Sequence, residues 1–414
     1  MRSDLPKARL GEPGIATIIL GQSPPSSSYN YAHRGLPFYQ GKADFGLVHP
    51  NTRIWCDAGQ QFSQKNDILI SVRAPVGDVN ISDADCVIGR GVSAIRAGEK
   101  TDPWFLFFAL QHVKPEVESL ATGSTFASIN KSTLLDIKIP FPTLTEQTFI
   151  AGELRKILAV IIHEQSIIEG SLDLKRSAMC ELFTRGLRGE AQKETEFGLV
   201  PEGWQIVTLG SLSTETEQVD IVAEKEDLIE YIDVSSISRD TLTIDTKKQF
   251  TLRSAPGRAR KRVRAGDIIF ATIRPTLLRV AEIRASGIKQ VCSTAFCVLR
   301  NNGKCEPSKF LYYIVQRKEF IEQLAQLETG ASYPAVTDGQ VKKQLVPVPP
   351  LEERIEIVEI LNAIDRKIEL HKKKKALLEE LFKSLLHKLM TGEIRVADLD
   401  LSAIDELEIG GLES

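Results

Sequence analysis

PVPPLEERIEIVEILNAI, residues 347–364, has an earlier copy in the same chain, PFPTLTEQTFIAGELRKI, residues 140–157. Both carry Pro-x-Pro, an acidic turn, and then isoleucine and leucine at matching places. The offset is 207 residues, half of the 414-residue chain. It persists: Pro140, Pro142, Leu144 and Glu146 align with Pro347, Pro349, Leu351 and Glu353, and Ile150, Leu154 and Ile157 with Ile357, Leu361 and Ile364. The Thr-Gly at 122–123 aligns with Thr329-Gly330, and Leu182, Thr184 and Arg188 align with Leu389, Thr391 and Arg395. A single offset held without insertion for about 65 residues marks an internal repeat.

Upstream the copies drift. NDILISVRAP at 66–75 resembles GDIIFATIRP at 266–275, with an offset of 200 at the aspartates and 201 between Arg73 and Arg274. RAGEKTDPWFLFFAL at 96–110 and RNNGKCEPSKFLYYI at 300–314 lie 204 apart. Loop insertions produce such drift, so each half joins a variable part to one of fixed length.

The fixed parts read as long helices. From Pro350 onward, Ile357, Leu361, Ile364, Ile368, His371, Lys375, Leu378, Phe382, Leu385 and Leu389 step by four and three. Eight of these ten seam positions are apolar, the pattern of a helix paired with another helix. Pro350 suits the first turn, Glu352 and Glu353 suit the dipole of a helix start, and Thr143-x-x-Glu146 is a capping-box pattern. Gly186 and Gly392 suit the stops. A 40-residue helix is about 60 Å long, and the first copy is its natural antiparallel partner. Lys372–Lys375 would keep one section solvated.

The variable parts hold β-branched runs such as DILISV, CVIGRGVSAIRA, DIIFATI and CSTAFCVLR, which read as strands. Each has one aromatic helix pattern, near 103–120 and 307–327. The fold class is therefore α/β in the α+β sense: two repeated mixed α/β domains separated by two long antiparallel coiled-coil helices with pseudo-two-fold symmetry.

Composition excludes several functions. The net charge of −3 rules out coating nucleic acid by bulk charge. No apolar run reaches the roughly 18–20 residues of a membrane helix, and no signal core opens the chain. Six scattered cysteines without a Cys-x-x-Cys pair give no zinc spacing and read as reduced cytosolic thiols. There is no phosphate loop, no dinucleotide fingerprint and no Asn/Asp-Pro-Pro-aromatic motif of adenine methyltransferases. The six histidines are scattered, and no paired-acid nuclease site stands out. A reader or scaffold fits better than an enzyme.

One local charge stands against the acidic whole. Residues 253–279 hold Arg253, Arg258, Arg260, Lys261, Arg262, Arg264, Arg274 and Arg279 against one acid, Asp267. Phosphate backbone is the usual target of such a patch, and a solvated loop with internal ion pairs is the alternative. Arg73 and Arg274 recur after a strand and before a proline, which suits a shared binding role or a buried ion pair. Ser124 and Thr125, matched by Ser332 and Tyr333, lie in a glycine-led loop before each helix.

Two variable α/β parts, each followed by Pro-x-Pro-x-Leu-x-Glu and a long helix ending in LFTRGLR or LMTGEIR, resemble the specificity subunit of type I restriction–modification enzymes. GLVPEGWQIVTLGSL at 198–212 resembles the start of that family's second recognition domain, and GQSPPSSSYN with LPFYQGKADFG resembles one class of first domain. The first domain lacks the Gly-Trp found at Gly203-Trp204. The resemblance implies a partition into a first recognition domain (1–143), a spacer helix (144–195), a second recognition domain (196–349), a second spacer helix (350–395) and an acidic tail (396–414). It implies that each domain reads half of a split site on double-stranded DNA, and that the helices set the gap. Two methyltransferase subunits would bind S-adenosylmethionine and dock on the helices, and motor-nuclease subunits would join for restriction. This cytoplasmic chain would itself bind no cofactor or metal and catalyse nothing.

Base reading draws on side chains that reach groove edges. The candidates are Gln22, Ser23, Tyr39, Gln40, Lys42 and Arg73 in the first domain, and Arg258, Arg260, Arg262, Arg274 and Tyr333 in the second. Candidates for partner contact are Glu146, Gln147, Glu353 and Arg354, for which a buried capping role is the alternative. The rival readings of the whole are a self-contained DNA-modifying enzyme, against which the missing methyltransferase motif speaks, and a coiled-coil adaptor whose basic segment binds an acidic protein.

Overall fold

The computed structural model describes residues 5–121, 128–195, 198–220, 222–239, 241–330 and 333–395. Ser124, Thr125, Ser332 and the 396–414 tail lie outside the described residues. The chain divides into two compact units, Met1–Ser166 with Lys372–Ser414, and Ile167–His371.

In the first unit, alternating β-branched segments form a four-stranded antiparallel sheet in the order Ala16–Leu20, Val92–Ala97, Ile68–Ser71, Val79–Ile81. A five-stranded sheet runs Tyr29–Asn30, Trp55–Cys56, Leu36–Tyr39, Cys86–Ile88, Phe62–Ser63, with Leu36–Tyr39 parallel to Cys86–Ile88. The short strand Lys7–Arg9 pairs with Lys138–Pro140, just before the first long helix. Helix Pro103–His112 is buried over Phe105 to Leu110, which its unbroken apolar run demands. Asp102 caps it, accepting from the Phe105 amide at 2.9 Å.

The second unit repeats this plan, with four strands in its second sheet where the first unit has five. Its antiparallel sheet runs Ser213–Thr214, Phe296–Asn301, Ile268–Ala271, Val280–Glu282. Its other sheet runs Lys248–Thr251, Leu228–Ile232, Lys289–Ser293, Ala259–Val263, with Leu228–Ile232 parallel to Lys289–Ser293. Gln205–Thr208 pairs with Leu345–Val348, just before the second long helix. One addition has no counterpart: the Gln192–Thr195 and Gly198–Pro201 hairpin, followed by the buried Trp204.

The long helices are Leu144–Arg185 and Leu351–Thr391, of 42 and 41 residues. Glycines at positive φ, Gly186 (65°) and Gly392 (77°), end both. The pairing is antiparallel. In the first unit Leu154, Ile157 and Ile161 share a core with Leu378, Leu385 and Leu389. In the second, Leu182 and Phe183 of the first helix share one with Ile357 and Leu361 of the second. All ten seam positions of the second helix are buried or half-buried.

Three expectations need correction. Each aromatic helix is two helices, Pro103–His112 and Lys114–Ser119 in one half and Lys309–Ile314 and Lys318–Gln326 in the other. Pro350 sits before the second long helix, where its carbonyl accepts from the Arg354 amide at 2.9 Å. The lysine run is not merely solvated: Lys374 bonds across to the buried Glu164 at 2.7 Å, and Lys375 pairs along its own helix with Glu379. Lys175 and Asp365 bridge the helices in the second unit at 2.8 Å.

Candidate nucleic-acid interface

The loops at one end of each antiparallel sheet are positioned by the same device. Asp67 and Asp267 open the central strands and are buried. Arg96 grips Asp67 through Nε and Nη2, both at 2.9 Å. Arg300 grips Asp267 through the same atoms at 2.9 and 2.8 Å. The other oxygen work is shared too: the Gln64 amide donates to Asp67 at 2.7 Å and the Arg264 amide to Asp267 at 2.8 Å. These hydrogen bonds to carboxylate hold both guanidiniums above their ordinary pKa.

At the far end of the central strands the loops are tied in register. In the first domain the Val72 amide donates to Gly91 (3.0 Å) and the Ile129 amide to Val72 (3.1 Å). In the second, Thr272 donates to Ala295 (2.8 Å) and Val336 to Thr272 (2.9 Å). Around the first set, the Gln22 amide donates to Ile88 at 2.9 Å, and the Arg90 amide to the Ser23 hydroxyl at 3.2 Å. A Cβ on Gly91 would lie 2.2 Å from the Gln40 carbonyl, so only glycine permits that approach. Gln22, Gln40, Arg73 and Arg90 thus share one ridge of exposed side chains. Arg90 escaped the sequence reading, although its flanking Gly89 and Gly91 mark a tight turn between two strands.

Two candidates of the first domain are withdrawn or demoted. Tyr39 is 1% exposed, its hydroxyl lies 2.7 Å from Thr52 Oγ1, and burial pushes its pKa up to about 12. It is a core residue and reaches no base. Lys42 is tied to Asp78 at 3.1 Å, a carboxylate also held by Lys114.

In the second domain the basic cluster largely dissolves on folding. Lys261 is buried and donates to the Phe296 carbonyl at 2.6 Å and to Asp338. Arg262 binds both oxygens of Glu224, and Arg264 both oxygens of Glu217 at 2.6 and 2.8 Å. Arg279 donates to the Val234 carbonyl. Arg260 is half-buried and donates to the Ala259 carbonyl at 3.1 Å. Arg262 is therefore a structural residue. Arg258 and Arg274 stay exposed, and the Arg274 guanidinium lies over the Tyr333 ring at 5.5 Å.

Arg73 and Arg274 are not equivalent. Bridges pair Arg73 with Ser128 but Ile273 with Ala335, so the register offset is 200 and the two arginines occupy successive positions. Arg274 adopts φ 48°, ψ 58° directly before Pro275, and its amide donates to the Pro334 carbonyl at 2.7 Å. Such a conformation before proline is strained and survives only where its surroundings fix it.

The sequence matches the family described as Type I restriction modification DNA specificity domain over residues 51–169 and 201–380. The chain belongs to that family. A relative from Methanocaldococcus jannaschii, named as the MjaVIII type I restriction enzyme specificity subunit, is 26% identical over 81% of each chain. Another from that organism, named for the MjaX enzyme, is 44% identical, but over 43% of this chain and 42% of its own length. The crystal structure of a type I restriction-modification S subunit from M. genitalium superposes with a TM-score of 0.61, covering 93% of this chain and 96% of that one at 18% identity, a likeness of fold.

Three of the four residues named for partner contact point inward. Gln147 is fully buried, accepting from the Asp102 amide (3.0 Å) and donating to the Pro142 carbonyl (3.0 Å). Glu353 is buried and accepts from Trp204 Nε1 (3.0 Å) and the Leu187 amide (2.7 Å). Arg354, also buried, donates to the Glu306 carbonyl at 2.5 Å. Glu146 is exposed and closes the capping box with Thr143. Of the four only Glu146 caps a helix, and it does so exposed; the other three are buried and tie their helix to neighbouring segments. Among the described residues no helix is long and apolar enough to cross a membrane, and no three metal-ligating side chains cluster.

Proposed function

We propose that this chain reads a split DNA site for a type I restriction–modification complex and does no chemistry itself. Each recognition domain reads one half. The paired helices set the unread gap and dock two methyltransferase subunits, which carry S-adenosylmethionine, and motor-nuclease subunits join for restriction. The observation that carries this reading is the repetition itself: one sheet topology occurs twice, each time leading directly into a long helix. Two like modules suit two contacts on one duplex, whose turns repeat every 34 Å or so. Gln22, Gln40, Arg73 and Arg90 on one side, and Arg258, Arg274 and Tyr333 on the other, are the side chains assigned to DNA.

The test is co-expression with the cognate methyltransferase subunit in a methylation-free host. The chain alone should leave DNA unmethylated, and the pair should methylate adenine. Methylation by the chain alone would contradict the division of labour.

A further inference from the structure

Seven tyrosines occur in the chain, and all lie among the described residues. Tyr31 is 79% exposed and Tyr333 73%, while the other five are buried or half-buried. So each recognition domain displays one tyrosine. Tyr333 belongs with Arg274. Tyr31 stands in a loop to which nothing above assigns a role.

That loop, residues 30–35, is built rather than loose. Asn30 Oδ1 accepts from the Ala32 amide (3.1 Å) and the Arg34 amide (3.0 Å). Its Nδ2 donates to the Arg34 carbonyl (2.9 Å) and the Trp55 carbonyl (3.3 Å). His33 takes φ 58° and stacks on Trp55, ring centroids 3.8 Å apart. Gly35 takes φ 82°, where a Cβ would lie 2.1 Å from the Cys56 carbonyl. A non-glycine residue held in the left-handed region is a cost that rigid surroundings must sustain, and such residues gather at functional sites. The turn presents Tyr31 and Arg34 to solvent, and among the described residues no ion pair holds the Arg34 guanidinium.

Charge selects the occupant. From residue 13 to residue 43 the chain has no aspartate or glutamate, although it has 55 in all. Contrast the second domain's basic segment, where Arg262 and Arg264 are met by Glu224 and Glu217. An ordered tip with no acid of its own, though Asp57 lies against Gly35, and with an amphipathic ring and a planar five-donor cation, suits duplex DNA, with bidentate hydrogen bonding to a guanine edge.

We propose that the 30–35 loop is a DNA probe of the first recognition domain: Arg34 reads a base edge, and Tyr31 packs against the adjoining sugar. This rests on the reading of the first domain as a half-site reader. The test uses the full chain in complex with its methyltransferase subunit. R34A and Y31A are compared with the unaltered complex by methylated-motif mapping and by affinity for a duplex carrying the mapped site. Melting temperatures should not move, because both side chains are exposed. R34A should weaken binding about 10-fold or more and blur one base of the first half only, and Y31A should weaken binding without blurring. Tyr333→Ala, the mirror variant, should spare the first half. Affinities within threefold of the unaltered complex and an unchanged motif would overturn the proposal while leaving the half-site reading intact. An unaltered complex that yields no split motif would overturn both.

Discussion

The two recognition domains share what is buried and differ in what is shown. Asp67–Arg96 and Asp267–Arg300 are the same bidentate pair with the same amide on the second oxygen. The ties that run from the central strand to its neighbours recur bond for bond. At the surface the correspondence stops. The first domain offers Arg73 where the second has Ile273, and Tyr31 and Tyr333 sit in unrelated loops. A scaffold kept twice with its edges varied independently is what two different half-sites require.

The largest expected effect tests the shared device. Arg300→Ala should destabilise by about 3 kcal/mol in denaturant unfolding, because it strands a buried carboxylate. Arg96→Ala should cost less, since that guanidinium is 37% exposed against 16% for Arg300. Equal costs would mean that burial does not set the strength of the pair. Next come two glutamates at the same repeat position. Glu353→Ala removes the acceptor of both Trp204 and the Leu187 amide and should cost about 2–3 kcal/mol. Glu146→Ala loosens only an exposed capping box and should cost about 0.5–1 kcal/mol. A reversal of that order would break the assignment of a second-half-only anchor.

Binding variants sharpen the comparison at the surface. Arg258 and Arg274 changed together to Glu should weaken DNA binding about 10-fold or more at physiological salt, with co-purification of the methyltransferase subunit retained. Arg262→Glu should instead lower the melting temperature, since Arg262 serves Glu224. Loss of assembly in the first variant would make those arginines structural. The smallest effect concerns pH. Burial, with His387 and Lys7 nearby, holds His112 below the ordinary histidine pKa. As pH falls below about 6.5, the unfolded chain takes a proton that the folded one resists, so stability declines until the folded value is passed. His112→Gln should flatten that decline in a pH series of melting temperatures. The second half has Gln316 and Cys180 at the aligned positions and should contribute none of it.

Much of the scaffold was legible because helices and repeats are written locally. The 207-residue offset, the seam from Ile357 to Leu389 and the stops at Gly186 and Gly392 need only neighbours in sequence. The site was less legible because charge is settled at long range. Residues 253–279 hold one acid, but Arg262 and Arg264 meet Glu224 and Glu217, which are 38 and 47 residues away. Tyr39 looks like its exposed neighbour Gln40, but it ends an interior strand that is covered on both faces, where Phe38 and Tyr39 are equally buried. Arg73 and Arg274 look paired because proline follows soon after both, and only the sheet register separates them.

The most direct test of the account is methylated-motif mapping of the complex, repeated after the second recognition domain is exchanged for that of a relative. The account predicts a split motif with a fixed gap of roughly 5–8 base pairs, and a change confined to one half after the exchange. A continuous motif, or an exchange that alters both halves, would contradict two independent readers on one scaffold.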